Sequence, residues 1–233
     1  MSETSGQTRS ALLKSSITLF SQRGYADVGI REIADAAGAN IASIKYHFGS
    51  KKDLYLAAVA EVMGRNNSEN AWKDLSEVPD DPRLAAQELI QFLRHSLKHL
   101  IPPGSSVESC SSLMIREALH PSEAFDSIVE NLLIPNNEGL INLLGKLVPD
   151  ADRPHLNNLA GSVMGQIMHI RIFRPFVERL RGVDLSNPDQ LDQMAMHIAQ
   201  FTLRGLGLKE IFIFEAIQSA RETEAQFVQE NKS

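Results

Sequence analysis

Three lysines, a tyrosine and a histidine fall between residues 45 and 52: Lys45, Tyr46, His47, Lys51 and Lys52. Such side chains can grip phosphates and read base edges. Ser50 with Asp53 three residues on reads as a capping box, so a helix starts there with Lys51 and Lys52 on its first turn. Cations at that end oppose the helix dipole. The placement makes sense if a phosphate lies beside them, because backbone N–H groups and ammonium groups then converge on one anion. Two weaker constellations are His95 with His99, spaced i, i+4, and Glu117 with His120 in a lone E-x-x-H. Either could begin a metal site, but no further ligands stand nearby. A helical metal-binding protein or enzyme using His95/His99 or Glu117/His120 is therefore the alternative reading. No metal, cofactor or catalytic residue is expected.

The basic stretch needs elements to aim it. Ile30, Ile33, Ala34 and Ala37 recur at i, i+3, i+4 and i+7, which gives one short helix a single apolar face. Gly38 ends it, and Asn40 caps the next. In that second helix Ile41, Ile44 and Phe48 turn inward, leaving Ala42, Ser43, Lys45, Tyr46 and His47 on the open side. Two short helices joined by a tight turn, docked on a third, form a helix-turn-helix whose second helix enters the DNA major groove. The set expected at DNA is Ile41, Ala42, Ser43, Lys45, Tyr46, His47 and Lys51. The competing role for Tyr46 is packing against the first helix, and for Lys45 a solvated lysine.

Residues 8 to 56 resemble the DNA-binding domain of the TetR/AcrR family of transcriptional regulators. The residues that carry the likeness are Phe20, Gly24 and Tyr25, then Ile33, Ala34, Ala37 and Gly38, then Tyr46, His47, Phe48, Ser50, Lys51 and Leu54. Gly29 stands where the family has a threonine cap, which weakens that cap by a few tenths of a kcal/mol. Asn40 replaces the usual serine, a neutral exchange for capping.

Charge is divided along the chain. The net value is −6 over 233 residues, yet residues 1–52 hold seven Lys/Arg against four acids, net +3, and residues 53–233 hold 16 against 25, net −9. One end of the chain is thus electrostatically suited to DNA. The 43% hydrophobic and 22% charged composition is that of a globular chain. Absence of a long apolar run or signal-like N-terminus places it in the cytoplasm, and the single Cys110 reads as a small buried hydrophobe.

All ten prolines lie at or after Pro79. The expectation is an all-α protein with two domains: residues 1–52, a three-helix DNA-binding domain after a polar tail over 1–7, and residues 53–233, a larger helical ligand-binding and dimerisation domain. Helix one spans Thr8 to Arg23, and a helix from Ser50 to about Asn66 links the domains. A loop around Trp72 follows. Further helices cover Asp81 to Leu100, 106 to 120, 122 to 133 and 136 to 148, the last two separated by Pro135. A long helix from Asp152 toward Arg181 is kinked or broken at Pro175. The helix at 188–205 carries Leu191, Met194, Ala195, Ile198, Phe201 and Thr202 inward, and a last one, after Gly207, packs by Ile211, Phe212, Ile213, Phe214 and Ile217.

The family resemblance implies a homodimer paired through the helices at about 153–181 and 188–205. It also implies a double-stranded DNA operator as partner and a small-molecule effector that releases the DNA. The segments around MIREALHP and MGQIMHIRIF are similar to the CecR-like branch. Polar groups interrupting apolar helices mark Met114, Arg116, Glu117, Phe125, His169 and Phe173, with Arg171, as ligand candidates; Arg116 and Glu117 could equally be an ion pair. A protein-binding helical module without DNA affinity would leave Lys45, Lys51 and Lys52 unexplained.

Overall fold

The computed structural model describes residues 2–63, 80–98 and 107–230, and every regular element among them is helical. The Trp72 loop, His99 and the side chain of Cys110 lie outside the described residues. The chain forms two compact units, residues 1–70 with 101–135, and residues 71–100 with 136–233. This packing division differs from the motif boundary at residue 52, because the helices at 107–119 and 125–128 bury apolar side chains with the helix-turn-helix rather than apart from it.

In the first unit α1 (Ser2–Arg23) buries Leu12, Leu13, Ile17 and Phe20. It begins six residues before the expected Thr8, so most of the predicted polar tail is helical. Extending a formed helix fixes one residue per hydrogen bond and needs no new nucleus. α2 (Ile30–Ala36) buries Ile33 and Ala34. Its end is a Schellman closure: Gly38 N–H donates to Asp35 O at 3.1 Å and Ala39 N–H to Ala34 O at 2.9 Å, with Gly38 at φ +62°. Asn40 Oδ1 then accepts from Ala42 N–H at 2.9 Å and opens α3 (Ile41–Phe48).

α3 is anchored by Ile44. Ile30 and Ile41, expected inward, are instead 37% and 38% exposed, since each starts a helix whose first turn overhangs the core. α4 (Lys51–Val62) buries Leu54, Tyr55, Ala58, Val59 and Val62. α6 (Val107–Leu119) packs on α1 and α4, and the short α7 (Phe125–Ile128) on α4. α5 (Pro82–Lys98) precedes them in the chain and belongs to the second unit, where Asp81 Oδ1 accepts from Arg83 N–H at 2.8 Å.

Pro135 does not separate two helices. A π-helical turn over Val129–Leu133 runs directly into α8 (Ile134–Leu147). A wider turn accommodates a ring that cannot donate, and Asn131 Nδ2 donates to Ser127 O at 2.8 Å. α9 (Arg153–Ile172) is capped by Asp152, and the expected break comes at Phe173, before α10 (Arg174–Arg181) with Pro175 in its first turn. α11 (Pro188–Gly205) is capped by Asn187 and packs on α5 and α9. Phe201 is 61% exposed rather than inward. α12 (Glu210–Glu230) packs on α5 through Ile213, Ala216, Ile217 and Ala220, whereas Ile211 and Phe214 face outward. Among the described residues no helix is long and apolar enough to cross a membrane.

A Cβ at Gly38 would meet nothing within 4 Å, so the glycine is required by its backbone angle and not by space. Gly38→Val is expected to lower stability by about 1–2 kcal/mol through the left-handed torsion, with loss of DNA affinity. Gly38→Asn, which tolerates that region, should lose less. An unchanged melting temperature in the valine variant would refute this account of the turn.

Candidate nucleic-acid interface

Ile44 fixes α3 against the core, and the residues between its inward positions are thereby turned out. Tyr46 is 81% exposed, Lys45 and Ala42 are exposed, and Ser43 and His47 are half-buried. Tyr46 does not pack on α1; its ring meets His47 edge-on at 4.8 Å. Arg9 lies with its guanidinium 5.1 Å over the Phe48 ring, which adds a cation beside the α3 terminus that sequence spacing did not single out.

The start of α4 presents the second group of donors. Ser50 Oγ accepts from Asp53 N–H at 3.0 Å and donates to Asp53 Oδ2 at 2.6 Å, so the capping pair closes through the hydroxyl. The Lys51 ammonium sits 4.3 Å over the Tyr25 ring. Partial burial lowers its pKa, opposed by the carboxylates of Glu123 and Asp27. Arg23 grips Glu32 with two N–H groups, at 2.5 and 2.8 Å, and donates to Asp27 O, which ties the end of α1 to α2.

Behind this surface stand three rings. Phe20 meets Tyr55 edge-on at 4.9 Å, and Tyr25 meets Tyr55 at the same distance. Both hydroxyls end on carboxylates: Tyr55 donates to Glu117 Oε2 at 2.6 Å, and Tyr25 donates to Glu123. Glu117, 4% exposed, also accepts from the Ser122 N–H and hydroxyl at 2.9 Å. Burial, reinforced by the carboxylate each hydroxyl faces, raises both tyrosine pKa values well above the ordinary range.

Arg116 and Glu117 do not pair with each other. Arg116 donates to Ser21 O at 3.0 Å and Gln22 O at 2.8 Å, capping α1. The ligand candidates fall in both units: Met114, Arg116, Glu117 and Phe125 in the first, His169 and Phe173 in the second, where the last two rings meet at 5.6 Å, tilted by 32°. An open hollow of about 490 Å³ in the second unit is lined by Arg181, Gly182, Val183, Gln190, Gln193, Met194 and His197, none of them a sequence candidate. The Glu117 carboxylate already accepts three hydrogen bonds, from Tyr55 and from Ser122, so its charge is satisfied without a metal. Among the described residues no three metal-binding side chains gather.

Residues 12–58 match the family described as bacterial regulatory proteins, tetR family, and residues 85–206 match the C-terminal domain of the HTH-type transcriptional dual regulator CecR. The chain belongs to the TetR family. The CecR-type domain accounts for more than half of this TetR-family regulator, and the CecR protein of Shigella flexneri is 30% identical over 71% of the chain and 76% of its own length. The regulator RutR of Escherichia coli K12 is 24% identical over 85% of the chain and 90% of its own length. The fold is shared with AmtR of Mycobacterium smegmatis, at a TM-score of 0.62, 19% identity and coverage of 93% and 94%. CecR and RutR are HTH-type transcriptional regulators, and the chain is accordingly a DNA-binding transcriptional regulator with a helical ligand domain.

An unfolded tyrosine ionises near pH 10. Tyr25 and Tyr55 keep their protons past that point in the folded protein, so the stability from these two hydroxyls is complete below pH 10 and is lost as pH rises beyond it. The denaturation midpoint should fall steeply above pH 10 in the wild type and more gently in Tyr55→Phe. Equal slopes in both would exclude Tyr55 as a source.

Proposed function

We propose that this TetR-family regulator works as a homodimer in the cytoplasm, reads a palindromic operator with α3 and represses transcription until a small molecule releases it. The observation that carries the reading is the outer face of α3, with Tyr46 and Lys45 in solvent while Ile44 is buried. Ala42, Ser43 and Lys45 meet base edges, with Ile41 at the helix entrance; Lys45 can donate to guanine O6 or N7 and Ala42 can meet a thymine methyl. Tyr46, His47 and Lys51 meet phosphates.

Two copies would set their α3 helices about 34–36 Å apart, one turn of DNA, or a multiple of it. Support for the dimer comes from α9 to α11. Gly161, Ser162 and Gly165 are exposed on α9, and a Cβ at either glycine would find open space, leaving room for a partner helix. Phe173, Phe176 and Phe201 are also exposed on this stretch. Effector release requires different affinities for two states, with a coupling of typically about 1–3 kcal/mol. Since Arg116 and Glu117 already hold partners, a ligand recognised by either would exchange those bonds, whereas Met114 and Phe125 in the first unit, and separately His169 and Phe173 in the second, offer apolar and ring contact.

Selection from random double-stranded DNA at about 150 mM salt, where non-specific binding is weak, should enrich a palindrome. Lys45→Ala should relax preference at one position per half-site, worth about 1–3 kcal/mol. A reporter driven by the enriched sequence then gives the sign of regulation. Failure to enrich any sequence would overturn the operator reading, and loss of reporter output on deleting the protein would overturn repression.

A further inference from the structure

Lys51 is half-buried at the start of α4. Among the described residues no carboxylate pairs with it at contact distance, although Glu123 and Asp27 act on its charge from farther off; its ammonium is held 4.3 Å over the Tyr25 ring. A π face attracts the charge as a whole, and the N–H groups turned away from the ring remain available to an oxygen ligand. The ring is itself held. Tyr25 is buried, lies against Tyr55 and Phe20, and donates its hydroxyl to Glu123, which sits between α6 and α7. Glu123 belongs to a corner fixed by Glu117, whose carboxylate accepts from Ser122 N–H while Ser122 Oγ accepts from Ala124 N–H at 3.1 Å.

We propose that Tyr25, steered by Glu123, is the positioning residue that aims Lys51 at the DNA backbone. The ring removes part of the freedom of a four-carbon side chain before DNA arrives, so less is lost when the phosphate contact forms. Because the ring is steered from the α6–α7 corner, displacement of that corner from α1 and α4 shifts the seat of Lys51 without touching α3. This rests on the reading of Lys51 as a phosphate contact and adds to it the residues that make the contact conditional on α6 and α7.

The test is a double-mutant cycle on operator affinity across a salt series, with thermal melts to confirm folding. Lys51→Ala should weaken binding on every sequence and reduce the salt slope by about one ion per protomer. Tyr25→Leu should weaken binding about two- to fivefold, the size of a surface cation–π contact, with a smaller fall in slope because the lysine charge remains. The double variant should bind no worse than Lys51→Ala alone. Tyr25→Phe keeps the ring and loses only the link to Glu123; it should give a smaller loss, present with Lys51 and absent without it. Equal losses from the tyrosine variants in both backgrounds would overturn the positioning role while leaving the phosphate contact intact. An unchanged affinity and slope in Lys51→Ala would overturn the contact, and the positioning role with it.

Discussion

The buried carboxylate of Glu117 is the constraint on which the first unit depends. A carboxylate removed from water costs several kcal/mol unless its oxygens are satisfied, and Glu117 is satisfied only when three donors arrive together: the Tyr55 hydroxyl from α4, and the Ser122 N–H and hydroxyl from the corner after α6. That requirement sets the distance between α4 and α6 and the direction in which the chain turns toward α7. Tyr25 and Glu123 form a second, more exposed bond of the same kind beside it. Arg116 completes the join by placing a cation on the free carbonyls at the end of α1, where the helix dipole is negative.

This join explains why two helices of seven and eight residues hold their shape. Isolated helices of that length are unstable in water. α2 and α3 persist because Ile33, Ala34 and Ile44 reach a core already organised by α1, α4 and α6, and because the Gly38 closure and the Asn40 cap satisfy their free backbone groups. Ala42, Lys45 and Tyr46 are thereby left exposed. These exposed positions are ones that the fold does not need, so they could vary without loss of the scaffold.

The second unit shows the same separation of roles. Arg94 joins α5 to α11 and α12 through Asp192 at 2.6 Å and Ala220 O at 2.9 Å, and Gln87 meets Ser219 at 2.6 Å. These bonds seat α12 on α5, beyond the residues matched by the CecR-type domain, which end at 206. Outward-facing Phe176, Leu180, Phe201, Ile211 and Phe214 belong to none of this packing. Sequence periodicity placed Phe201, Ile211 and Phe214 in the core because an apolar stripe reads the same whether it faces its own chain or another surface.

Most of the helices, the caps at Asn40, Ser50 and Asn187 and the exposure of Ala42, Lys45 and Tyr46 were legible in the sequence, since each follows from spacings of three and four and from Gly, Asn, Ser and Pro at helix ends. The break at Pro175 was legible for the same reason. What only the tertiary structure decided were contacts between residues remote in the chain: Tyr25 with Glu123, Tyr55 with Glu117, and Arg116 with the end of α1. No local pattern records such pairs. Glu117 read as half of a metal motif or of an ion pair because its neighbours in sequence suggested both, whereas its charge is satisfied by a tyrosine on α4. The extent of α1 and the helical path across Pro135 were likewise decided by packing and by a π turn, which propensity alone does not specify.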